Sequence, residues 1–244
     1  MCSWNALNDI LDVEIDKLNQ PTRPLPSGRI SLNNAKMVTA ALMFISLSCL
    51  VYAGYISSTI QGGFENWAPS ILIWILAIFL LTNYESSSNY SLKLKDRGLP
   101  GNFAISISIG MVILFGAAGV FNPAQPRVIS LFFIGFSYNL AREIVKDIED
   151  MDGDEGRNTL AMRIGVEKTR VLAWAILLLT MVAILTPFAL EIFPPNHLLL
   201  LIPGLMTIFL VKRKLAYAED RNAQKLIKRS LQLTLLGFII SSLI

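Results

Sequence analysis

The sequence predicts an all-α membrane protein with seven complete transmembrane helices and an N-terminal partial helix. Three observations lead there. Of 244 residues, 53% are hydrophobic and only 16% charged, against roughly 25% charged in soluble domains, and the mean hydropathy is +0.54. Several apolar stretches are long enough to cross a bilayer, which takes about 20 residues of helix. These stretches are continuous, without period-2 alternation. Lipid offers backbone groups no partner, so they close their hydrogen bonds as helices and not as a barrel.

Residues 1–18 read as a helix, but only about eight residues precede the first acidic motif, too few to span, and they hold no signal-peptide core. The stub either begins inside a membrane helix whose first half is missing or starts at the interface. A polar connection, 17–35, follows with Pro21, Pro24, Pro26 and Gly28. Complete spans are expected at about 36–58, 69–88, 101–121 and 127–149, the last two joined by the short turn 122–126. A second polar connection, 151–167, carries Gly153, Gly156 and Gly165. Further spans are expected at 168–190, 196–214 and 227–244. Long connections in compact proteins tend to be lids or binding loops, so function is expected on the side that holds both. With no low-complexity tract and no appended soluble domain, residues 1–244 read as one membrane domain.

The net charge is +3, and its placement says more than its size. Of 21 Lys and Arg residues, 20 fall in or beside 17–36, 93–97, 142–170 and 212–229. The alternate connections hold Arg127, Glu65, Glu191 and the lone His197. Basic loops stay in the cytoplasm, so those four connections are expected there, in a multi-pass cell-membrane protein. The basic balance follows this alternation and does not indicate nucleic acid. Cys2 and Cys49 make neither a disulfide framework nor a metal pattern, and His197 has no partner pattern for a base or ligand.

Two motifs break the apolar pattern: "NDILDVEIDKLNQPTRPLPSG" from Asn8 and "KDIEDMDGDEGRNTL" from Lys146. Asp9, Asp12 and Asp16 fall at about 0°, 300° and 340° around a helix, one stripe on one face. Asp147, Asp150 and Asp154 repeat that spacing. Three like charges on one stripe repel each other, and intramembrane acids are functional candidates by default. Four spans separate the motifs, an even number, so both stripes are expected to face one cavity at the cytoplasmic side. Converging carboxylates suit a divalent cation, with a phosphorylated ligand and retained waters as the usual setting for Mg²⁺. Lys17, Arg23, Arg29, Lys93, Lys95, Arg97, Arg142, Lys146 and Arg157 lie nearby. Carboxylates with bases describe a site for metal-bridged diphosphate. Asp12 and Asp150 are expected to hold metal and not to pair with lysines.

Two lookalikes fail. "DMDGDE" opens like an EF-hand loop, but the required Gly position holds Glu155 and the twelfth position holds Ala161. Asp152-Gly153 and Gly156-Arg157 imitate the CDP-alcohol phosphotransferase opening, but its two later acids would fall near Arg170 and Trp174. What the residues do resemble is the UbiA-type intramembrane prenyltransferase superfamily. "NDILDVEID" matches its N-D-x-x-D-x-x-x-D signature, and "KDIEDMDGD" is similar to its second aspartate motif. "RPLPSGRIS" is shared with chlorophyll synthases and archaeal digeranylgeranylglyceryl phosphate synthases. "REIVKDIEDMDGDEGRNTLAMRIG" is similar to the archaeal branch.

The resemblance implies a UbiA-like helical bundle and transfer of a geranylgeranyl group from its diphosphate to the glycerol hydroxyl of geranylgeranylglyceryl phosphate. It implies Mg²⁺ as cofactor, with Asp9, Asp12, Asp147 and Asp150 catalytic and Asn8, Asp16 and Asp154 joining them as metal ligands. Lys17, Arg23, Lys95, Arg142, Lys146 and Arg157 would bind diphosphate or phosphate. The family's Tyr-x-x-x-Lys element is inexact here, with Tyr90 before Lys93 and Lys95 at spacings of three and five. The family has nine membrane helices, so its first and half of its second are expected to be missing, leaving this chain able to insert but poor at transfer. An aromatic or chlorin acceptor is the rival reading. A cation transporter is the remote one, since transporters place acids at mid-span in broken helices.

Overall fold

The computed structural model describes residues 2–60, 63–85, 91–151 and 158–244, and the described chain is helical, without a strand. α1 (Cys2–Leu11) and α2 (Val13–Asn19) form one run interrupted at Asp12. Asp12 N donates to Asn8 O at 2.9 Å and Asp16 N to Asp12 O at 2.8 Å. The ladder therefore continues through the break and keeps the three aspartates on one side. Pro21, Pro24 and Pro26 lack N–H donors and disfavour helix in the residues before them, so 20–31 is a chain of turns. Ser31 restarts the helix, its Oγ accepting the Asn34 N–H at 3.2 Å.

Six helices are long and apolar enough to cross a membrane among the described residues: α3 (Leu32–Ser58), α4 (Ala68–Glu85), α5 (Leu99–Ala118), α6 (Pro126–Glu149), α8 (Val166–Ala189) and α10 (Asp220–Leu243). The short α7 (Leu160–Ile164) precedes α8. The seventh expected span, 196–214, is divided: Pro195–Leu201 is a 3-10 segment and α9 (Ile202–Ala216) an α-helix of 15 residues. Proline chemistry explains the division. Pro203 has no N–H to give and its ring crowds the carbonyl one turn back, which favours the 3-10 bonding of Pro195–Leu201 before it.

α6 lies at the centre, packed against α5, α8 and α10. Its Ile134, Tyr138, Ile144 and Val145 are fully enclosed, joined by Leu177 and Ile184 of α8, Ile208 of α9 and Ile227 of α10. Lipid tails are as apolar as leucine, so helices in a membrane gain little from hydrophobicity and rely on close packing and shared hydrogen bonds. Tyr138 supplies these. Its hydroxyl bonds Ser230 Oγ at 2.8 Å and Thr234 Oγ1 at 2.9 Å, and Ser230 donates to the Gly204 carbonyl at 2.7 Å. Three helices are thereby tied at one point. α3 is different: it packs on α1 and on the 3-10 turn Gly63–Asn66, turning Phe44, Val51, Tyr52 and Tyr55 outward.

Tyr138→Phe should lower unfolding free energy by about 0.6–1.5 kcal/mol, the range of interhelical hydrogen bonds in membranes. Among the described residues Ser108 bonds within its own helix, to the Ala104 carbonyl, so Ser108→Ala should change stability by less than about 0.5 kcal/mol. Unfolding in mixed micelles measures both. Equal effects would show that Tyr138 does not tie the helices.

Candidate active site

Four spans, α3 to α6, lie between the acidic stripes, and the structure returns both to one end of the bundle. They line a single cavity of about 460 Å³. Asn8, Asp9, Asp12 and Asp16 face it from α1 and α2, and Asp147 and Asp150 from the end of α6; Arg23, Lys95, Arg142 and Lys146 complete the expected set. Lys17 is not part of it: it pairs with Glu14 at 2.7 Å on the exposed side. A helical position one residue past Asp16 is rotated about 100° from the stripe. Asp154, Arg157 and Tyr90 lie outside the described residues.

Bases stand against the first stripe and against Asp150. Lys95 Nζ donates to Asp12 Oδ2 at 2.6 Å, Asn8 Oδ1 at 2.8 Å and Glu85 Oε2 at 2.9 Å. It therefore joins the first stripe to the end of α4. Arg23 reaches back from the proline-rich turns to Asp16 Oδ2 at 2.7 Å and Asp9 Oδ1 at 3.5 Å. Lys146 lies 3.7 Å from Asp150, one helical turn along. The expectation that Asp12 and Asp150 have no lysine partner is corrected here, because stripes this close attract any base within reach. Partial burial raises the Asp9 carboxyl above its ordinary range; Arg23 opposes this, and Asp16 and Asp12 add to it.

Asp147 is held otherwise. Its Oδ2 accepts from Asn102 Nδ2 at 2.9 Å and from the Leu160 N–H at 3.3 Å. Two glycines make this possible. Gly98 has φ +64°, and a Cβ there would stand 2.8 Å from Leu160 N; a Cβ on Gly101 would meet the Leu94 carbonyl. The Gly98–Asn102 turn therefore lies flat against both the Leu160 backbone and the 3-10 turn Leu94–Arg97 that carries Lys95.

Sequence reasoning missed Glu85, Glu143 and Asn102, all of which line the cavity. Glu143 carried a signal: it stands four residues before Asp147, on the same helix face. It receives Arg142 at 2.7 Å. Glu85 ends an otherwise uncharged span, also a signal. Asn102 carried none, because a single amide in the first turn of a span is common. With these included, the described lining holds seven carboxylates and four bases, a formal charge of −3 when all are ionised.

Oxygen donors of this kind suit a hard divalent cation. Among the described residues no three acidic, histidine or cysteine groups already gather as a metal cage; Lys95 and Arg23 stand between them. A second chamber of about 850 Å³ adjoins the first, sharing Trp4 and Leu81 with it. Its walls are apolar, from α3, α4 and α5. The pair makes an amphipathic site, polar at the aspartates and oily beyond.

Comparison with known proteins agrees with this architecture. The UbiA prenyltransferase family matches residues 1–236. A digeranylgeranylglyceryl phosphate synthase of Korarchaeum cryptofilum is 33% identical over 248 residues, covering 98% of this chain and 81% of the relative. The synthase of that name from Haloquadratum walsbyi is 33% identical over 240 residues, covering 97% and 76%. That of Methanocaldococcus jannaschii is 33% identical over 250 residues, covering 100% and 81%. A solved structure from work on the biosynthesis of digeranylgeranylglyceryl phosphate synthase in membranes superposes with a TM-score of 0.67 at 30% identity, over 98% of this chain and 80% of its own. With both aspartate motifs and the multi-pass helical bundle in place, the chain belongs to the UbiA prenyltransferase family.

Proposed function

We propose that this chain transfers a geranylgeranyl group from geranylgeranyl diphosphate to the glycerol hydroxyl of geranylgeranylglyceryl phosphate, in archaeal ether-lipid synthesis. One observation carries the chemistry: two aspartate stripes from separate helices line one cavity that adjoins an apolar chamber. The acceptor rests on the relatives' shared name. Three of the four basic connections support a cytoplasmic opening, since Arg23, Lys95, Arg142 and Lys146 line this end.

In the reaction the allylic C–O bond breaks and its electron pair leaves with the diphosphate. The acceptor's hydroxyl oxygen bonds the allylic carbon and gives up its proton to a carboxylate or to the departing diphosphate. Magnesium, held by Asn8, Asp9, Asp12, Asp16, Asp147 and Asp150, would neutralise the leaving group. The protein's own groups do the rest. Arg23, Arg142 and Lys146 meet phosphate oxygens with fixed positive charge. Asn102 and the Leu160 N–H hold Asp147 in orientation. The apolar chamber takes the prenyl tail and keeps water from the allylic cation.

Membranes holding the protein, given labelled geranylgeranyl diphosphate and Mg²⁺, should yield the diether phosphate from geranylgeranylglyceryl phosphate. Product only with aromatic or chlorin acceptors would refute the assignment. Asp12→Asn and Asp147→Asn keep volume and remove charge, so each should reduce turnover by at least about 10²-fold, the scale of losing one electrostatic stabiliser. Lys17→Ala breaks only an exposed pair worth about 0–1 kcal/mol and should leave turnover within about twofold. A large loss at Lys17, or near-normal rates at the aspartates, would contradict the site.

A further inference from the structure

We propose that Trp67, seated on Gly54, is the stop that limits how long a prenyl chain the apolar chamber accepts. The inference rests on the reading of this chain as a prenyl-diphosphate enzyme and adds the element that measures its substrate. Trp67 lines the chamber just before α4, at the far end from Leu81, which borders the aspartate cavity. Fourteen positions separate Leu81 from Trp67 in the sequence, about 21 Å at the rise of an α-helix. Extended chain advances 3.3–3.6 Å per three-bond residue, or about 1.2 Å per bond. The sixteen-carbon backbone of a geranylgeranyl group then reaches about 18 Å, and one more isoprene unit adds about 5 Å. A tail entering past Leu81 ends at the indole.

The indole is fixed by shape. A Cβ on Gly54 would stand 2.9 Å from Trp67 Cδ1 and 3.0 Å from Nε1, so glycine lets the Cδ1–Nε1 edge of the ring sit close against α3. Near it Ser57 Oγ, at the end of α3, donates to the Gly63 carbonyl at 3.3 Å. Tryptophans near membrane surfaces ordinarily aim their N–H at water. Trp67 does not: it is 7% exposed, and its Nε1 is buried without a hydrogen-bond partner among the described residues. An interfacial anchor would not be placed so. A ring closing an apolar chamber would.

Binding of thiolodiphosphate analogues, which resist ionisation, tests this without any acceptor. Farnesyl, geranylgeranyl and geranylfarnesyl forms are titrated into the full chain in nanodiscs. The wild type should bind the geranylgeranyl analogue at least about tenfold tighter than the geranylfarnesyl one, the scale of misfit in an apolar pocket. Trp67→Ala should erase that difference, and Trp67→Phe should keep most of it. Gly54→Ala pushes the ring into the chamber and should shift preference to the farnesyl analogue. Equal binding of all lengths by the wild type would overturn the proposal. So would a Trp67→Ala protein that still rejects the longer chain, or a Gly54→Ala protein with unchanged preference. Because no acceptor is present, an error in the acceptor's identity leaves these ratios standing.

Discussion

Seven carboxylates crowded at one end of an apolar bundle repel each other, and the organisation of the site follows from how that repulsion is offset. Charges near low-dielectric walls interact several-fold more strongly than in water. In the structure the offset is internal. Lys95 bridges Asn8, Asp12 and Glu85, and Arg23 spans Asp16 and Asp9. Among the described lining residues the offset is incomplete, since four bases cannot balance seven acids. An anionic diphosphate alone would meet a surface of its own sign. Arriving with divalent cations, it would complete the balance, and the lysine and arginine partners would be released toward its oxygens.

The fold serves this arrangement by separating two jobs. α6, α8, α9 and α10 make a dense core tied by Tyr138, and α6 presents Asp147 and Asp150 from its last turn. α1, α3 and α4 are packed more openly and border the apolar chamber. Such a division suits a lipid substrate. Rigid elements hold the ionised groups, where about 1 Å of misplacement is costly, while the open side provides room for a tail. Buried ion pairs are poor evidence of stability, so the Lys95 and Arg23 bridges are better read as placing groups than as strengthening the fold.

Much of this was legible in the sequence for definable reasons. The spans showed because bilayer thickness imposes a minimum apolar length, and the stripes because helical period turns the spacing of Asp9, Asp12 and Asp16 into a shared face. The even span count put both stripes at one end. What escaped depended on three-dimensional closure. The span at 196–214 divides at Pro203, a local backbone effect hidden beneath continuous hydropathy. Lys17 looked like a site base by proximity in sequence but points away. Asn102 meets Asp147 where Gly98 and Gly101 let one turn lie close on its neighbours, which no periodicity reports.

The central claim is that surplus negative charge makes diphosphate binding depend on a divalent cation. Calorimetric titration of inorganic pyrophosphate into the full chain, with Mg²⁺ and then with chelator, isolates it from the pull of the prenyl tail. The account predicts binding at least about 100-fold tighter with Mg²⁺, close to 2.7 kcal/mol. Equal affinity in chelator would contradict it, and would mean that Arg23, Arg142 and Lys146 suffice to hold the diphosphate on their own.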